Sequence, residues 1–137
     1  MIFLHITAVS LYFGYHNETA TSINSWAQHE IQKGQNYEKI YERLSNFEKT
    51  GKGDALTYFL LSYTELQLNK TEDAKKHLLK TIQFKPDFHE AHFNLALIYY
   101  QDDRNITKAK QHLKEAIRIS DDKKYKEYLE QLNQLED

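Results

Sequence analysis

The nine residues AKKHLLKTI, from Ala74 to Ile82, return thirty-five positions later as AKQHLKEAI, from Ala109 to Ile117, with five positions identical. In both copies alanine, leucine and isoleucine fall four residues apart, on one face of a helix. A period of this size marks a supersecondary unit that cannot bury its apolar face alone and must stack on its neighbours. A chain built this way is an all-α solenoid, and the repeat constrains the fold more than any other feature of the sequence.

The punctuation agrees with helices throughout. From Thr21 onward, Gly, Asn, Asp or Pro interrupts the apolar pattern every dozen residues or so. The spacing predicts helices at 21–33, 37–50, 54–68, 71–84, 88–102, 106–119 and 122–135. Gly34, Gly51 and Gly53 stand where helices should stop, Pro86 follows a helix end, and Asp87 and Asp121 are placed to cap the next helices. Four glycines and one proline are too few for an all-β chain rich in tight turns. Short connections make neighbouring helices antiparallel.

Extending the alignment shows what repeats. Tyr58, Leu61 and Ser62 precede the first stretch, and His92, Leu95, Ala96 and Tyr99 precede the second. Upstream, Tyr37, Ile40, Leu44 and Phe47 have the spacing of a further second helix, with Ile40 thirty-four residues before Ala74. The extra residue between the later copies falls in the turn DDRN, where a loop absorbs it. Each unit is two helices and a turn, at about 21–54, 55–88 and 89–123, with a capping helix at about 122–135.

This pattern resembles the tetratricopeptide repeat family: a bulky residue, Leu and a small residue in the first helix (Tyr58, Leu61, Ser62), then Ala, a bulky residue and Pro in and after the second (Ala74, Leu78, Pro86). The first unit departs from it, with Gln28 where a small residue belongs and Ile40 where alanine does. The resemblance implies that the first helices line a concave face that binds a peptide or helix of a partner protein. In such a face Leu56, Phe59, Tyr63, Gln67, Phe93, Asn94, Leu97, Tyr100 and Gln101 would form an aromatic, apolar groove, with Leu66 beside them. Some family members grip a terminal carboxylate there. The matching places here hold Ser25, His29, Glu90 and Asn94, of which only Asn94 suits a carboxylate, so a clamp of that kind is not expected.

Other chemistry is weakly supported. The histidines shared by the two copies, His77 and His112, lie among lysines without a third ligand and read as exposed residues on the outer face. His89 and His92 are three apart, but His92 occupies the bulky core slot and reads as packed. No phosphate loop or nucleophile elbow occurs, so no catalytic residue, cofactor or metal is expected. The net charge of -2 is spread over interspersed signs without a basic stripe, which argues against nucleic acid. Residues 1–16 carry no charged side chain. They read as a packing segment or as an anchor or targeting segment, in which case the chain would be a membrane-tethered or exported assembly factor. Self-association through the groove is also open, and the chain lacks the cysteines that would bear on its compartment. Three N-x-T triplets, at Asn17, Asn69 and Asn105, read as turn and cap chemistry.

Overall fold

The computed structural model describes residues 18–135; the segment 1–16 and the triplet at Asn17 lie outside them. Seven helices follow one another: α1 (Ala20–Lys33), α2 (Tyr37–Glu48), α3 (Ala55–Gln67), α4 (Thr71–Phe84), α5 (His89–Gln101), α6 (Ile106–Ser120) and α7 (Lys123–Gln134). Each packs on the helices before and after it, and α1 also packs on α3. The result is an all-α solenoid of helical repeats.

The second helix of each unit carries the repeated contacts. Ala74 and Ala109 are fully buried where the hairpins α3–α4 and α5–α6 cross, and Leu78 and Leu113 are buried one turn on. In the first unit Ile40 fills that crossing, and α1 and α2 approach each other less closely than the helices of the later hairpins do. A bulky side chain at a crossing point holds two helices further apart.

The helix ends refine the expected caps. Gly34 closes α1 in the left-handed conformation at φ 69°, with its N–H donating to the Ile31 carbonyl. Gly53 is not a helix stop: a Cβ there would come within 3.2 Å of the Tyr58 ring. Asp54 next to it starts α3, its Oδ1 accepting the Thr57 N–H at 2.8 Å and the Asn24 side-chain amide at 2.9 Å. One carboxylate thus caps α3 and ties it to α1. Asp121 does not cap α7 but ends α6 in the left-handed conformation, and Asp122 caps α7 through the Lys124 N–H. Asp87 caps nothing; Phe88 precedes α5 without a side-chain cap. After α3, Asn69 is left-handed at φ 57°, with Lys70 N–H reaching the Glu65 carbonyl and Asn69 N–H reaching that of Leu66. That is a Schellman turn. One unit later the extra residue shifts the left-handed position to Arg104, and Asn105 caps α6.

The buried apolar residues form two clusters. One joins α1, α2 and the Leu60–Leu61 pair of α3; the other runs from Leu78 through α5 and α6 to Tyr125 and Leu132 of α7. Between them lie buried polar groups of α3 and α4, Ser62, Thr64, Glu65 and Thr81. Each has a partner: Ser62, Thr64 and Thr81 donate to the carbonyls of Phe59, Leu60 and His77, and Glu65 meets His77. Satisfied in this way, the seam avoids the cost of buried unpaired groups.

Candidate functional site

The helices α1, α3 and α5 differ from the rest in charge. No Lys or Arg occurs in α3 or α5, and α1 has only Lys33 at its end, whereas α2, α4 and α6 carry lysine or arginine in every turn or two. Along α3 and α5 several expected groove positions repeat at thirty-four residues: Phe59 with Phe93, Tyr63 with Leu97, and Gln67 with Gln101.

The structure distributes these residues unevenly. Leu56, Phe59, Tyr63, Asn94, Leu97 and Tyr100 are half-buried, and Gln67 and Gln101 are exposed. Leu56 packs on the N-terminal cluster, while Phe59, Leu97 and Tyr100 pack on the C-terminal one. Phe59 meets Phe88 at a tilt, with ring centroids 4.7 Å apart. Burial and the neighbouring Tyr37, which hydrogen-bonds it, push the Tyr63 phenol above its ordinary range. Phe93 is only 7% exposed: Tyr125 of α7 stacks on it at 4.6 Å, and Tyr128 meets it edge-on at 5.2 Å. The aromatic strip is therefore closed at α7 and continues from α5 back to α3. Glu90 is exposed beside it, and Ser25 and His29 are exposed on α1.

The repeated histidines are not on an outer face. His77 is wedged between helices, its Nδ1 2.8 Å from Glu65 Oε2 of α3 and its Nε2 3.2 Å from Glu48 Oε1 of α2. Glu48 also accepts from Lys80 at 3.0 Å, and the Tyr58 ring lies parallel to the imidazole. His112 stacks on Tyr99 at 5.4 Å and meets His92 with Nδ1 3.0 Å from Nδ1. His92 is buried, as its core slot predicted, and its Nε2 lies 3.0 Å from the Pro86 carbonyl oxygen. Burial alone would lower the His77 imidazole, but the Glu65 and then the Glu48 carboxylates hold it above its ordinary range. Burial, His92 and Lys108 push His112 down to about 4.

Glu65 is the residue that periodicity did not single out. It is 1% exposed and is the one charged residue of α3. That solitude on an otherwise uncharged helix was the available signal. Among the described residues, no group of three or more His, Cys, Asp or Glu side chains could hold a metal ion. Glu65 and Glu48 stand at the two ring nitrogens of His77, so the imidazole separates them. No helix among the described residues is long and apolar enough to cross a membrane.

The arrangement defines a helical-repeat protein, an α-solenoid of stacked hairpins. Among solved structures the chain is similar to the myosin chaperone UNC-45 from C. elegans, crystallised in complex with an Hsp90 peptide: 25% identity and a TM-score of 0.70, over 86% of this chain and 14% of that one. The chain thus corresponds to a small part of that protein. No family model and no curated protein matches the chain.

Proposed function

We propose that this chain is a non-catalytic protein-interaction module of tetratricopeptide type, holding a peptide or helix of a partner against the face of α1, α3 and α5. The observation that carries this reading is the register of half-buried apolar residues on two helices without a cation, rimmed by Gln67 and Gln101. Such a face suits an apolar helix or extended segment. It does not suit an acidic tail, for which α3 and α5 offer no lysine or arginine. The similarity to part of a chaperone crystallised with an Hsp90 peptide supports a peptide-binding role.

A photo-crosslinking amino acid at Gln67 or Gln101, compared with one at the exposed Lys76 or Lys114 of the opposite helices, tests the proposal without disturbing the core. We expect one defined partner to crosslink from the first pair only. Equal labelling from both pairs, or no partner from the first, refutes the groove.

A further inference from the structure

We infer that the histidine repeated in register is a pair of opposed proton-operated clamps. His77 holds α2, α3 and α4 together while it is charged, and His112 holds α6 to α5 while at least one ring of the His92–His112 pair is neutral. Both ring nitrogens of His77 face carboxylate oxygens, which only accept, so both must carry hydrogen and the ring is an imidazolium. His92 Nε2 faces the Pro86 carbonyl, which also only accepts, so that nitrogen carries hydrogen. The facing Nδ1 atoms of His92 and His112 can then share one hydrogen between them. Two imidazolium rings would turn N–H against N–H, and the contact would be lost.

One exchange per register position separates the two sites. Glu65 and Tyr58 around His77 are matched, thirty-four residues on, by Tyr99 and His92 around His112. The groups facing His77 are Glu48 from α2, Glu65 and Tyr58 from α3, and on its own helix Lys80, which shares Glu48; Glu42, Lys49 and Asp73 line the same cleft. Those facing His112 are His92 and Tyr99 from α5, with Lys108 and Glu115 on its own helix. Lys75 of α4 lies over the Tyr99 ring and is paired with Asp103.

The signs follow. His77 is raised above 6.5, so its contribution is full below that value and is lost as pH rises through the folded one. His112 is lowered, so its contribution is full above 6.5 and is lost as pH falls towards about 4. The junction of the first two units therefore loosens on the alkaline side and the third hairpin on the acid side.

Imidazole NMR titration of the full chain tests this, with the ring signals assigned through bonds to the wild-type backbone and amide protection corrected for intrinsic exchange. We expect a midpoint above 6.5 for His77 and near 4 for His112. Protection in α2 and α4 should fall as pH passes the first, and protection in α6 as it approaches the second. Glu65→Gln should weaken proton binding at His77 by about tenfold or more, leaving His112 unchanged. Wild-type midpoints that coincide near 6.5, or protection in α2 and α4 that is flat through the His77 midpoint, overturn the proposal, and neither result depends on a variant folding.

Discussion

Replacing His77 by alanine removes the partner of a carboxylate that has nowhere to go. The Glu65 side chain is 1% exposed, and its Oε2 bonds His77 Nδ1 at 2.8 Å. Removing one member of a buried charge pair costs about 3–5 kcal/mol, because the other charge stays desolvated. His77 is 17% exposed and Glu48 beyond it 25%, so water can reach part of the network. The lower end, about 3 kcal/mol, is therefore the expected loss. At this chain length it corresponds to a fall in melting temperature of roughly 12 °C. Urea denaturation followed by circular dichroism at pH 7 reads it directly, with the slope m unchanged if only stability has moved.

The companion variants separate the pair from its members. Glu65→Leu removes the buried charge and leaves His77 facing Glu48, at an expected cost of about 1–2 kcal/mol. The double variant Glu65→Leu/His77→Ala removes both charges and should lie within about 2 kcal/mol of wild type. The cycle then gives a coupling of about 2 kcal/mol or more between the two sites. A His77→Ala loss below about 1 kcal/mol, or a double variant as unstable as the sum of the singles, would refute a buried, charge-paired Glu65.

Further variants are read by the same denaturation assay. Leu78→Ala empties a fully buried site and should cost about 2–5 kcal/mol, while Leu79→Ala next to it, 41% exposed, should stay within about 0.5 kcal/mol. Asp54→Ala removes a cap and the bond to Asn24, at about 1–2 kcal/mol. Partial burial pushes the Asp54 carboxyl up, but bonds from Thr57 and Asn24 outweigh it and hold the group below 3.8. Its contribution is therefore full above 3.8 and is lost as pH falls through the folded value, so Asp54→Ala should also flatten the acid limb of the stability profile. Asn69→Ala puts a Cβ residue without a local hydrogen bond in the left-handed position and should cost about 1 kcal/mol, with Asn69→Gly close to neutral.

Much of the fold was legible because one contact set is written more than once. The hairpin crossings show as alanine and the core turns as leucine, and the chain can vary them only at the cost of packing. The seven helices fall within about two residues of the ends that periodicity predicts, the usual fraying at termini. Caps were less legible, because Asp121 and Asp122 are equally good capping residues and the turn geometry decides between them. His77 and His112 differ from their outer-face expectation because composition around a residue says little about what crosses it in space. Lysines flank His77 along α4, yet its partners come from twelve and twenty-nine residues earlier in the chain. Phe93 shared the pattern of an open groove residue, and only the docking of α7 closes it.

The same position of the second helix shows how a repeat can diverge without losing its fold. In the first unit it is Arg43, whose guanidinium lies 4.1 Å from the Trp26 ring centroid and pairs with Glu18. In the second and third it is histidine. Each time a flat, nitrogen-bearing group fills the gap between first and second helix, and each time it meets a different neighbour: Glu18, then Glu65 with Glu48, then His92. The leucine next in sequence cannot vary so freely, since Leu44, Leu78 and Leu113 are all buried. Stability in such an array is a sum of units and the junctions between them. The leucines therefore set that each unit folds, and the planar residue beside them sets the conditions under which its helices stay joined.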